Sequence, residues 1–290
     1  MIVSASYRSD VPAFYGRWFL SRLAAGEAWV RNPYGGMPYR VSLAPEDVDG
    51  FVFWTRNLAP FAGALAAVEA RGAPYVVQYT VTGYPAALES GVPPVEHAAA
   101  QLRLLAGRRG RAAGVWRYDP ILFSDLTPPE WHRENFARLA AAFAPLVDEV
   151  TVSFATIYRK TARNLARAAA VHRFAWRDPD IAERRAFLAG LAAIAADHGL
   201  RLTVCAQPAL EQDGVAGAAC IDAERLSRVA GRPIRARHKG NRPGCLCAES
   251  RDIGAYDSCA HGCMYCYAVR DHEKARAAVS GFDAAAAAIA

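Results

Sequence analysis

The sequence predicts an α/β protein, a six-unit (βα) partial TIM-like barrel followed by a C-terminal cysteine-rich segment. Three observations carry that expectation. Short apolar, β-branched or aromatic runs alternate with longer helical stretches, several of those runs are polar on one face only, and five of the seven cysteines crowd between residues 245 and 266.

The runs are IVSAS (2–6), FVFWT (51–55), YVVQYTVT (75–82), AGVWRY (113–118), EVTVSF (149–154) and RLTVCAQ (201–207), each with strand character. Helical stretches follow at 11–25, 58–70, 95–105, 127–144, 159–171 and 178–199. Strands alternating with helices imply parallel pairing. Thr127, Pro128 and Glu130 read as a capping box with proline at the first helical position, while Asp178-Pro179 opens and Gly199 closes the last long helix.

In a doubly wound sheet both faces are covered by helices and the strands are apolar throughout. Here Gln78, Thr80 and Thr82 share one face of their strand, as do Arg117 and Asp119, Thr151 and Ser153, and Arg201, Thr203, Cys205 and Gln207. The opposite faces carry Val77, Tyr79 and Val81; Val150, Val152 and Phe154; Leu202, Val204 and Ala206. Polar faces turned toward one another would line the lumen of a barrel. A mixed sheet with one wetter face is the alternative. No glycine-rich phosphate fingerprint follows any run, which counts against a dinucleotide fold. The chain divides into a barrel over 1–230 and a cysteine-rich segment over 231–290, whose Ala-rich tail after Phe282 reads as a frayed helix or as disordered.

Composition narrows the class. Of the 290 residues 53% are hydrophobic and 21% charged, which excludes a disordered, collagenous or highly charged repeat protein. No 18-residue apolar stretch suggests a membrane span, and MIVSASYRSD lacks the basic start and apolar core of a signal peptide, so a cytoplasmic protein with no membrane partner is expected. A net charge of +6 permits an anionic partner without demanding one.

In βα barrels the reactive side is the C-terminal ends of the strands. Arg8, Ser9 and Asp10 follow the first run, Arg56 and Asn57 the second, Thr82 the third, Arg117, Tyr118 and Asp119 the fourth, Thr156 and Lys160 the fifth, and Gln207 the sixth. Arg8, Asp10, Arg117 and Asp119 are the candidate catalytic groups; Arg56, Asn57 and Gln78 are candidate cofactor contacts. A hydrolytic enzyme using Asp10 or Asp119 as acid or base would draw on the same rim.

After Gly231 the sequence becomes rich in Gly, Arg and Cys and loses hydrophobic periodicity, as in segments held by a metal centre. Such clustering in a reducing compartment favours a metal or an iron-sulfur cluster over disulfides. Arg232, Arg235, Arg237, His238, Lys239 and Arg242 precede the cysteines as a solvated basic loop or a phosphate contact. Within the segment Cys259, Cys263 and Cys266 have the spacing CxxxCxxC. Three thiolates can hold three irons of a 4Fe-4S cluster and leave the fourth without a protein ligand.

This motif, continuing as HGCMYCYA, resembles the cluster loop of the radical S-adenosylmethionine (radical SAM) enzymes, most closely that of the spore photoproduct lyase branch. The resemblance implies that Cys259, Cys263 and Cys266 ligate a 4Fe-4S cluster and that Tyr265 lies beside the adenine of S-adenosylmethionine. It implies reductive cleavage of that cofactor to a 5'-deoxyadenosyl radical, an electron donor such as flavodoxin or ferredoxin, and hydrogen abstraction from a small-molecule, nucleotide or nucleic-acid substrate. Family members carry the motif after the first strand; here it follows the sixth, so the arrangement looks circularly permuted. Cys245 and Cys247 fit three readings: a fourth ligand to the same cluster, a redox or substrate role, or part of a zinc site with His238, His261 or His272. An iron-sulfur or zinc-stabilised protein that binds nucleic acid or a partner without radical chemistry is the alternative function. Cys205 reads as a structural thiol and Cys220 has no evident role. SASYRSDVPAFYG and VWRYDPIL also resemble a widespread bacterial family known only as a domain of unknown function.

Overall fold

Parallel strands need a crossover long enough to carry the chain back, and helices supply it here. The computed structural model describes residues 1–32 and 35–289. Its main sheet has eight strands: β1 (Ile2–Ala5), β2 (Gly50–Thr55), β3 (Tyr75–Thr80), β4 (Gly114–Ile121), β5 (Glu149–Phe154), β6 (Arg201–Val204), β7 (Ala216–Gly217) and β8 (Ser250–Asp252). They lie in the order β7-β6-β5-β4-β3-β2-β1-β8, and every pair is parallel. The six runs read from sequence supply β1 to β6. Because the sheet is parallel throughout, the mixed-sheet alternative does not hold, and because β1 to β7 follow one another without reversal, the order differs from a doubly wound sheet. Among the described residues no ladder joins β7 to β8.

The helices are α1 (Val11–Phe14), α2 (Gly16–Ala25), α3 (Ala62–Ala70), α4 (Val95–Arg109), α5 (Pro129–Phe143), α6 (Arg159–His172), α7 (Ile181–Asp197), α8 (Ala223–Ala230) and α9 (His272–Ser280). Among the described residues none is long and apolar enough to cross a membrane. Phe19 of α2 packs 5.5 Å from Phe53 of β2, and Phe136 of α5 stacks 5.0 Å from Trp116 of β4. Each such buried side chain contributes roughly 1.5–3 kcal/mol. The sheet's other face is polar toward the carboxyl ends, where the register aligns Thr80, Arg117, Thr151 and Thr203, with Gln78 two residues before Thr80 on the same face. Its amino ends are apolar, with Ile2, Val52, Val76 and Val115 packed against Ile221 and Leu226. Arg225 fixes α8 there: it is 2% exposed and donates to Asp148 (2.7 Å) and Glu149 (2.6 Å).

Several local expectations change. The capping box does not form: Thr127 Oγ1 donates to the Leu122 carbonyl at 2.8 Å, and Pro128 occupies the cap position of α5. Asp180 rather than Asp178 caps α7, accepting from the Glu183 amide at 2.8 Å, while Asp178 binds Arg184. The stretch 11–25 breaks at Tyr15 into α1 and α2. The Ala-rich tail is neither frayed nor disordered over residues 283–289. The carbonyls of Ala286 and Ala287 accept from Trp18 Nε1 and the Trp29 amide, both at 2.9 Å, and Ile289 is buried in the main core. Alanine and isoleucine carry no local signal for that docking, which depends on the distant Trp18.

The sequence did not announce β8, which the segment 231–290 adds beside β1. Its last residue, Asp252, accepts from Ser4 Oγ (2.7 Å), Ser6 Oγ (2.7 Å), the Tyr7 amide (3.0 Å), Arg8 Nε (3.0 Å) and the Gly254 amide (3.0 Å). Gly254 is required there, since a Cβ would lie 2.1 Å from Ser6 Oγ. Removing one partner of a buried ion pair leaves the other uncompensated. Asp252→Ala is therefore expected to lower unfolding free energy by about 3–5 kcal/mol, whereas Glu249→Gln, at a pair with solvent-exposed Arg237, should leave stability nearly unchanged. Equal losses in a denaturant titration would remove Asp252 as the anchor.

Candidate active site at the carboxyl edge of the sheet

The chain leaving β8 turns across the carboxyl ends of β1 to β3 and carries the three-cysteine motif with it. Ser258 begins the docking, donating to Ser9 Oγ at 2.8 Å and accepting at its carbonyl from Tyr15 OH at 2.7 Å. His261 follows, with Nε2 2.7 Å from Asp10 Oδ2 and Nδ1 3.1 Å from the Gly91 carbonyl. Gly91 returns its amide to the His261 carbonyl at 2.8 Å. Gly262 has φ +70°, and a Cβ there would meet Ser90 Oγ at 2.2 Å, so the turn requires glycine. Cys263 bridges Glu89, and the Met264 amide donates to the Leu88 carbonyl at 3.0 Å. The motif thus lies against the strand ends of β1 and β2 and the loop after β3.

One ion pair forms the floor. Arg56 Nη1 is 2.9 Å from Glu89 Oε1, with side-chain exposures of 9% and 2%. Thr82 Oγ1 donates to the same Glu89 oxygen at 2.5 Å, Tyr265 OH also binds it, and Arg56 Nη2 donates to Tyr265 OH at 2.6 Å. Asp10 accepts from Thr55 Oγ1 (2.8 Å) and the Arg56 amide (2.7 Å). Burial alone would depress the Arg56 guanidinium, but Cys263, Glu89 and Tyr265 over-compensate and hold it well above its usual value.

Cys259, Cys263 and Cys266 are free thiols. Burial pushes all three up, Cys263 to about 12, and each other's charges add to the rise at Cys259. Without a metal they are neutral, so loading must displace protons. Three thiols on one loop above a buried guanidinium suit an anionic iron-sulfur centre in donor chemistry and local charge. Among the described residues no three His, Cys, Asp or Glu side chains are already drawn together closely enough to clamp a single ion.

The other sequence candidates separate. Arg8 is bound to Asp252, and the Asn57 side chain is engaged by Gln101 Nε2 (3.1 Å) and the Ala59 amide (3.2 Å). Arg117 and Asp119 bind each other on the sheet's polar face, with Ser153 Oγ also on Asp119. Gln78 Nε2 donates to the Cys220 carbonyl at 2.8 Å, and Arg117 Nη1 lies 3.0 Å from Cys220 Sγ. Cys245 and Cys247 belong to this second group, in a hydrophobic cluster with Cys205 and Cys220, whereas Cys263, Tyr265 and Cys266 belong to another. The hydrogen bond from Cys247, with amides of Cys247 and Asn241, holds Cys245 down at about 6 against its burial. Of the basic run, Arg237 and Lys239 pair with Glu249, and His238 Nε2 is 3.0 Å from the Cys245 carbonyl.

Glu89 was missed because nothing in TGYPAALESG distinguishes a buried acid from a loop charge. Asp252 sits in SRDIG, a strand too short to show alternation.

A family profile described as Domain of unknown function (DUF1848) matches residues 2–268. The chain belongs to that family. The match runs from the first residue of β1 to just past Cys266, so sheet and cysteine loop fall within one family unit. No curated protein and no solved structure matches the chain.

Glu89→Ala should lower unfolding free energy by about 3–5 kcal/mol by leaving Arg56 buried and unpaired, and Tyr265→Phe by about 1 kcal/mol. Denaturant titration of both variants checks the order; an Arg56 that tolerates loss of Glu89 would show that this pair is not the floor.

Proposed function

We propose that the chain is a radical SAM-type enzyme, with a six-unit partial barrel as its scaffold and a 4Fe-4S cluster on Cys259, Cys263 and Cys266. The observation that carries the reading is the seating of the CxxxCxxC loop over the strand ends beside Arg56, Tyr265 and Asp10. Parallel strands in unbroken order, with a polar face turned away from the core helices, support the barrel. The pairing of β8 with β1 bears on the permutation: the motif follows the strand next to β1 and so reaches the rim from a neighbouring position.

When bound, the cluster would supply an electron to S-adenosylmethionine through its open iron, yielding methionine and a 5'-deoxyadenosyl radical that abstracts hydrogen from substrate. The chain's residues do the rest. In this reading Arg56 would pair with the cofactor's carboxylate, and Asp10 or Glu89 with its amino group. Tyr265 offers a ring edge to an adenine, held by its contact with Tyr84 at 5.7 Å between centroids. The polar face with Arg117 and Asp119 would receive the substrate, a small molecule or nucleotide, and an external flavodoxin or ferredoxin would reduce the cluster.

The test is anaerobic turnover with dithionite and S-adenosylmethionine, measuring 5'-deoxyadenosine. Wild type should form it and Cys263→Ala should not. Arg56→Lys, which keeps a cation beside Glu89, should retain iron but need about 10–100-fold more S-adenosylmethionine, the cost of a charge-assisted hydrogen bond. Product formation by Cys263→Ala, or an iron-free wild type that binds zinc instead, would overturn the proposal in favour of a metal-stabilised binding protein.

A further inference from the structure

The four cysteines outside the CxxxCxxC loop come from three separate stretches of chain, yet they meet. Cys205 ends the run through β6, Cys220 precedes α8, and Cys245 and Cys247 belong to the glycine-rich segment before β8. Cys220 Sγ lies 3.4 Å from Cys205 Sγ, and Cys245 and Cys247 pack in the same cluster as both. All four are buried, none is in a disulfide, and they share one cluster on the polar face of the sheet.

Cationic and amide donors face them. Arg117 Nη1 points at Cys220 Sγ from 3.0 Å, and Arg242 Nη2 lies 3.6 Å from Cys205 Sγ. The Ile221 amide donates to Cys247 Sγ at 3.3 Å. Two guanidiniums and a backbone amide facing one group of thiols would offset the charge that the group takes on when a metal binds. Burial of one cysteine is ordinary; burial of four in one cluster, two of them facing guanidiniums, is not explained by packing.

We infer that Cys205, Cys220, Cys245 and Cys247 form a second metal centre of this chain, a tetrathiolate site for one zinc ion, distinct from the CxxxCxxC loop. Zinc bound at about 2.3 Å to four sulfurs spaces them about 3.8 Å apart, close to the separation of Cys205 and Cys220 and shorter than ligands spread over the separate irons of a cluster. The four sulfurs are not already drawn into a tetrahedron, so binding would have to gather them. At neutral pH binding displaces about three protons, since Cys245 is already largely ionised, and leaves a centre of charge −2, which Arg117 and Arg242 offset, Arg117 while also paired with Asp119. The ion would staple residues 231–250, which lack a core of their own, to the inner face of the sheet.

The experiment uses the full chain. In Cys259→Ser/Cys263→Ser/Cys266→Ser, zinc analysis should find one ion per chain, and Co2+ in its place should give the charge-transfer absorption of four thiolates. In the wild type, alkylation read by mass spectrometry should leave Cys205, Cys220, Cys245 and Cys247 protected until a chelator is added, a readout that needs no substitution. Cys220→Ser and Cys247→Ser should each weaken Co2+ at least tenfold. A triple variant that binds no metal, or four thiols whose labelling ignores the chelator, would overturn the inference; so would iron and sulfide retained by the triple variant. None of these readouts depends on the outer loop or on radical chemistry.

Discussion

The buried carboxylate of Asp252 is where the C-terminal segment becomes part of the sheet. It gathers two serine hydroxyls, two amides and the Arg8 guanidinium around one point at the end of β1. A charge so enclosed is tolerable only when each lone pair has a donor, and the donors come from Ser4 of β1, from the turn SYR after it and from Gly254. Because that turn leads into Ser9 and Asp10, the same interaction that fixes β8 also fixes the groups on which Ser258 and His261 dock. The position of the cysteine loop follows from it.

The β-branched and aromatic runs made the sheet legible: each of the six became a strand, and Gln78, Arg117, Thr151 and Thr203 fall on one face as their alternation indicated. The motif cysteines were visible by spacing, and Arg56 and Asp10 by their place just after a strand. What stayed hidden was contact across long sequence separations. Glu89 becomes the partner of Arg56 and Tyr265 only once the cysteine loop lies on it, and Cys205 and Cys220 are unremarkable until β6 and the segment before α8 bring them together. Asn57 shows the converse: it has the right place on the rim, but its side chain serves the start of the helical stretch at 59–70 and Gln101.

Two thiol groups thus occupy one side of the sheet with different surroundings. The outer three sit on a single loop at the rim, beside a guanidinium, a tyrosine and two acids that could contact a small zwitterion. The inner four come from three stretches, with Arg117 on Cys220 and Arg242 near Cys205. The first arrangement suits a centre exposed to a cofactor, the second a centre that holds the chain in place. Arg117 touches both the inner thiols and Asp119, so the floor of the proposed substrate space and the inner centre share a residue.

The central claim is an open iron on the outer loop. Electron paramagnetic resonance of the anaerobically purified, reduced chain, recorded with and without S-adenosylmethionine, tests it most directly. The account predicts the signal of a reduced 4Fe-4S cluster whose line shape changes when S-adenosylmethionine is added, because the cofactor takes the vacant position. A cluster signal unchanged by S-adenosylmethionine would mean that a fourth protein ligand closes the site and would contradict it.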